Sequence, residues 1–255
     1  MVFIAYCLYG QPRNLTEGSN NIKKFVKNHN VDFYYHTWTL PNENAHYSHS
    51  EYRNVPKEEL KGDKDIITKI NSIYNPKAYL FEESKHFDIE KNNEYINSIA
   101  YLNTPEFNKG IRISHTLSQL YSKQQVRNLL YNTIEKENIK YDFVITSRFD
   151  FLKEINLTID LNNIDNQKIY VSNILKPRDI FSDYILLLGV ENYFKLLNIY
   201  DNLSNLINNK TLENTLITKY NEKLVLVPES LAFANYLYYF NDIKRLEYVN
   251  FPFFV

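Results

Sequence analysis

Val2-Phe3-Ile4-Ala5-Tyr6-Cys7-Leu8-Tyr9-Gly10 decides how the chain is read. Residues 2–9 form a short apolar run, and Gly10 closes it. Such a run bounded by glycine reads as a buried strand. Residues 14–27 follow with Leu15, Ile22, Phe25 and Val26 at helical spacing. Residues 31–36 are a second apolar run, entered after a basic helix end. Strand, helix and strand within the first 36 residues open a parallel sheet with helices packed on it.

Outward from this unit the alternation continues. Residues 39–61 are polar and long for a connection, and such loops are usually functional; a lid over a bound ligand is one reading. A helix is predicted over 63–74 and a strand over 78–81 after Asn75-Pro76. Residues 84–108 are polar, with one short helix and a loop. Residues 110–137 carry the longest helical pattern, through Ile113, Leu117, Leu120, Val126, Leu129, Leu130 and Ile134, and read mostly as core. Residues 142–146 form a short, strongly apolar strand. Later strands are predicted at 168–171, 184–188, 224–227 and 245–249. Helices are predicted at 191–206, at 211–223 and from Pro228 to about 239, with proline suited to a first helical position. No internal repeat or linker interrupts the chain. The layout implies one domain over 1–255, a three-layer α/β/α fold with a mostly parallel sheet.

The composition excludes several functions. The chain has 255 residues and 44% hydrophobic content, enough to bury a full core. Its formal net charge of -1 supplies no basic excess, so nucleic acid is not an expected partner. With one cysteine, Cys7, no intrachain disulfide can form. Cys7 sits in the first apolar run and reads as a small core side chain, which fits a reducing, cytoplasmic setting. Apolar runs stay well below the roughly 20 residues a membrane-spanning helix needs. Residues 1–10 lack the positive start of a signal peptide. No G-x-G-x-x-G or G-x-x-x-x-G-K-[ST] occurs, against a dinucleotide fingerprint and a P-loop.

Val144-Ile145-Thr146-Ser147-Arg148-Phe149-Asp150 places charge at the end of a buried strand. Ligands of open α/β sheets bind beyond the carboxyl ends of strands. Strand alternation puts Arg148 and Asp150 on one side and Phe149 on the other. A carboxylate there can hold a divalent cation that bridges a diphosphate. A guanidinium can reach phosphate oxygens bidentately. Together they suit the charge that develops on a leaving diphosphate. The competing reading is an Arg–Asp ion pair that only caps the strand.

Four blocks carry a family resemblance. They are Leu8-Tyr9-Gly10-Gln11-Pro12-Arg13, then residues 31–38 ending His36-Thr37-Trp38, then Gln119-Leu120-Tyr121-Ser122 with 141–150, and Val227-Pro228-Glu229-Ser230. In order and spacing they resemble GT-A-type glycosyltransferases of large DNA viruses, phages and bacterial polysaccharide clusters. The resemblance implies a GT-A-like three-layer α/β/α sandwich. It implies a nucleotide-sugar-binding half over about 1–150 and an acceptor half over about 151–255. Gly10 and Arg13 match the element beside the nucleotide. Arg148 and Asp150 match the element that takes the place of D-x-D, with Asp150 as ligand to Mn2+ or Mg2+. Glu229 matches a carboxylate near the acceptor. The chain departs from the pattern at Arg148, which stands where the first Asp of D-x-D would be. Either Asp150 holds the metal with phosphates and water, or Arg148 takes over part of its charge role.

Other residues divide between chemistry and structure. His36 and Trp38 read as a packed floor for the site, with base stacking as the alternative. His46 and His49 lack the further ligands a zinc site needs. Asp183, ahead of the apolar run 184–188, is placed to position an acceptor hydroxyl, or caps a turn. Glu229 is placed as general base for an inverting transfer, although a carboxylate is favoured at a helix start in any case. The expected activity is transfer of a sugar from a nucleoside-diphosphate donor to a glycan hydroxyl. Two rivals stand beside it: a nucleotidyl- or other group-transferase on a similar sheet, and a non-catalytic glycan-binding protein that kept the fold.

Overall fold

The computed structural model describes residues 1–12, 15–39, 64–83, 85, 87, 109–150, 160–172, 185–222, 224 and 227–249. Strand β1 spans Phe3–Tyr9 and is buried on both faces from Ile4 onward. Helix α1, Leu15–Val26, buries Leu15, Gly18, Ser19, Ile22 and Val26 on one stripe, and Lys23 and Lys24 favour its carboxyl end. Strand β2 is Asn30–Thr39, helix α2 Lys64–Tyr74 and strand β3 Ala78–Glu83. Helix α3, Lys109–Glu137, leads into strand β4, Phe143–Arg148. Beyond them come β5 (Ile169–Ser172), β6 (Ile185–Leu188), α4 (Val190–Leu196), α5 (Ile199–Asn208), α6 (Lys210–Tyr220), α7 (Pro228–Phe240) and β7 (Leu246–Val249).

The strands form one sheet in the order β3-β2-β1-β4-β6-β5-β7. Pairings β1–β2, β1–β4, β2–β3 and β5–β7 are parallel. Strand β6 runs antiparallel to both β4 and β5. The expected α/β class with a mostly parallel sheet between helical layers is therefore observed. From β1 the chain steps outward through α1, β2, α2 and β3, then returns through α3 to β4 on the other side of β1. Parallel crossovers are almost always right-handed, so reversing the direction of travel moves the helix to the opposite face. The packing agrees. Residues of α1 and α2 share a core with Ile4, Tyr6, Leu8, Phe33 and Tyr35. Leu117, Leu120, Val126 and Leu130 of α3 share the other core with Ala5, Cys7, Tyr9, Tyr34 and Val144.

Two expectations are corrected, and a third lies partly outside the described residues. The predicted helix 191–206 is two helices, α4 and α5, broken at Leu197 and Asn198. Buried Asn235 of α7 accounts for the break: its amide donates to the Leu196 carbonyl at 2.9 Å and to Asn198 Oδ1 at 3.3 Å. A carbonyl left open at a helix end needs such a partner. Strand β2 extends three residues past its predicted end, because Thr37, Trp38 and Thr39 pair with β3. Of the predicted strand 224–227, residues 224 and 227 are described, and neither is in the sheet. The polar loop falls outside the described residues over 40–61.

Candidate functional site

Strands β1 and β4 are neighbours, and the chain leaves their carboxyl ends in opposite directions along the sheet. This switch point is where open α/β sheets bind ligands. Register places three side chains in a row there: Tyr9 lies opposite His36 on one side and Arg148 on the other. Gly10 follows Tyr9 with φ +87°. A Cβ at Gly10 would meet nothing within 4 Å, so conformation rather than space demands glycine.

A buried polar chain supports this edge. The Gly10 N–H donates to Ser122 Oγ at 2.9 Å. Ser122 Oγ lies 2.8 Å from His36 Nδ1, and His36 Nε2 lies 3.1 Å from Glu82 Oε2. Lys85 donates to Glu82 at 2.7 Å and also to the Tyr121 hydroxyl. Burial holds His36 down to about 4, against the pull of the Glu82 contact. His36 is therefore neutral at pH 7, and its bond to Glu82 is a charge-assisted hydrogen bond, not an ion pair. Neutrality orders the donors: Nε2–H faces the Glu82 carboxylate, and Nδ1 accepts from Ser122, whose oxygen accepts from Gly10. Burial alone would push Glu82 up; bonds from Lys85, His36 and Tyr121 outweigh it and hold the carboxyl below its ordinary value. His36 is packed edge-on to Trp38, and Trp38 stacks on Tyr121 at 5.5 Å. Both His36 and Trp38 are buried, as a packed floor requires.

Arg148 ends β4, and Asp150 lies two residues on. Phe149 turns into the opposite core, edge-on to Tyr35. Arg148 Nε donates to Asp150 Oδ1 at 2.8 Å, and Nη2 donates to Oδ2. Asp150 is 3% exposed and Arg148 22%. The cation is thus the more solvent-accessible member of a bidentate pair. Lys123, buried beside Ser122 on α3, places its ammonium 4.8 Å from the centre of the Tyr9 ring.

The expected metal role of Asp150 meets this geometry directly. A divalent cation needs carboxylate oxygens turned toward it. Both Asp150 oxygens are engaged by the guanidinium, and a cation inserted there would stand against a like charge. Among the described residues no cluster of three His, Cys, Asp or Glu is placed to hold a metal. The residues at this position do not fit Mn2+ or Mg2+ as arranged.

The structure thus brings Gly10, Arg148 and Asp150 to adjacent strand ends. Arg13 and Asp183 lie outside the described residues. Glu229 occupies the first turn of α7 after Pro228, half-buried, at the positive end of the helix. Ser122, Lys123, Glu82 and Lys85 join this edge only in the folded chain. A signal for the first two exists: Ser122-Lys123-Gln124 is a polar triplet set between the core positions Leu120 and Val126 of one helix. Glu82 carries no such signal, because its partner His36 is remote in sequence. Cys7 is buried, and burial pushes its thiol up to about 12, which leaves it unreactive.

Among solved structures, the chain is similar to the galactosyltransferase LgtC in complex with donor and acceptor sugar analogues, at 8% identity and a TM-score of 0.37, over 91% of this chain and 69% of that one. An active-site mutant of LgtC matches at 8% identity and 0.38 over the same shares. The apo bifunctional glycosyltransferase WbbM matches at 11% identity and 0.38, over 97% of this chain and 38% of that one. No family model matches the chain, and no curated protein matches it. At these TM-scores the likeness transfers no role to any residue. No helix among the described residues is long and apolar enough to cross a membrane.

Proposed function

We propose that the protein transfers a sugar from a nucleoside-diphosphate sugar to a hydroxyl of a glycan acceptor. One observation carries the reading. A positive-φ glycine and a guanidinium emerge side by side from β1 and β4, at the point where the strand order reverses. As the bond from the anomeric carbon to phosphate oxygen breaks, negative charge grows on the departing diphosphate. A preorganised cation at that oxygen lowers the barrier without reorganising. Arg148, held by Asp150, supplies it. Gly10 presents backbone at the same edge, and Arg13 adds a second cation. Glu229 takes the proton of the acceptor hydroxyl in an inverting transfer, with Asp183 as the alternative acceptor-side carboxylate.

The test is transfer from a panel of UDP-, GDP- and dTDP-sugars to simple glycan acceptors, measured by release of the nucleoside diphosphate. Glu229→Gln should lower kcat by about 10²-fold or more with little change in donor affinity. Silence with every donor would overturn the reading. Glycan binding alongside that silence would favour the second reading, a non-catalytic glycan-binding protein. The closed Arg148–Asp150 pair gives that alternative its weight, because such a pair can serve as a strand cap alone.

A further inference from the structure

We infer that the Arg148 guanidinium stands in for a divalent cation, so that the donor diphosphate binds without metal. This rests on the proposed sugar transfer. Three observations lead to it. Asp150, the sole carboxylate of the motif, has both oxygens occupied by one guanidinium, at 2.8 Å for the Nε bond. Recruiting it for a metal requires breaking two charge-assisted hydrogen bonds and stranding a cation beside the incoming one. The pair is also oriented, with a buried acid beneath a more exposed base. That orientation gives the crevice a positive face while the carboxylate locks the guanidinium in one pose. Finally, the neighbouring strand end holds a second cation, Lys123, against Tyr9, the register partner of Arg148. A guanidinium fixed at a switch point supplies positive charge where a bound metal would otherwise bring it. Guanidinium geometry matches two phosphate oxygens at once, which an ammonium does not. Asp150 is accordingly a positioning residue for Arg148, not a ligand.

Calorimetry on the full chain tests this, with UDP, GDP and dTDP as probes, in EDTA and again in Mn2+. The expected result is that whichever diphosphate binds does so equally in both buffers, within about twofold, and that Arg148→Ala weakens it by about tenfold or more. Arg148→Lys should restore only part of the loss. Binding that appears only with Mn2+, or tightens about tenfold with it, overturns the inference and leaves sugar transfer standing. If no nucleoside diphosphate, dTDP included, binds in either buffer, the sugar-transfer reading itself fails. Electron paramagnetic resonance of Mn2+ needs no turnover. With the wild-type chain and the diphosphate that binds in EDTA, the signal should match that of Mn2+ with the diphosphate alone. Arg148→Asp, which restores two carboxylates, should convert it to a bound signal. Bound Mn2+ on the wild type is the contrary result.

Discussion

Two polar networks occupy opposite ends of the same strands, and they are built differently. Toward the amino ends, the Tyr141 hydroxyl donates to Asp32 at 2.6 Å and meets the Tyr34 hydroxyl at 2.6 Å. Lys77 closes this group by pairing with Asp32 and Glu137. Burial, reinforced by the bonds to Asp32 and Tyr34, holds the Tyr141 phenol far above its ordinary value. The bonds tie β2 to the segment entering β4 and lead to no open edge. At the carboxyl ends, Glu82, His36 and Ser122 form a line that terminates on a backbone N–H, that of Gly10. Beside it stands the Arg148–Asp150 pair. The first network staples strand entries together; the second fixes the backbone of a positive-φ glycine at the switch point, where the proposed donor site lies.

Breaking that contrast starts with Arg148→Ala. It should lower kcat/KM by about 10²- to 10³-fold, the effect of removing one preorganised donor from a developing anion. Tyr141→Phe should leave turnover per folded molecule unchanged. Equal losses in the two variants would erase the distinction between the networks.

His36 sharpens the contrast through pH. Its folded value of about 4 lies below the ordinary 6.5, so the unfolded chain takes up the proton first. Stability is then full above about 6.5, falls as pH drops and levels off below about 4. Over that window the loss is about 3 kcal/mol. Glu82 and Lys85 face the ring, and the depressed Glu82 carboxyl adds a loss of the same sign. Urea denaturation of wild type and His36→Gln at pH 7 and 4.5 checks this: the variant should show a much shallower dependence. A wild-type midpoint that does not move with pH would remove His36 as a neutral link.

Asp150→Asn should cost about 1–3 kcal/mol in urea melts, because it leaves a partly buried guanidinium with a poorer partner. A metal ligand open to solvent would instead change binding and leave stability nearly untouched. The smallest effect belongs to Tyr141→Phe, about 1 kcal/mol of stability, since Lys77 still satisfies Asp32. A larger loss there than at Asp150 would show that the amino-end staple dominates the fold.

Much of the fold was legible because its signals are local. The β1–α1–β2 unit shows in apolar runs and 3.6-residue spacing within 36 residues. The motif at 146–150 was legible for the same reason, since Arg148 and Asp150 are two residues apart. The break between α4 and α5 was not, because it depends on an Asn235 amide reaching back 39 residues to Leu196. Nor was the Ser122–His36–Glu82 line, whose members lie 86 and 46 residues apart.

By itself, the sequence determined most element types, the mostly parallel sheet and the emergence of an acid and a base after β4, since each depends on periodicity and near-neighbour chemistry. Only the tertiary structure decided that Asp150 turns to Arg148, that β6 enters the sheet antiparallel, and that Gly10 hangs from a serine in the middle of α3. Those outcomes depend on which surfaces share a core, and a buried polar group takes the partner that packing places within reach.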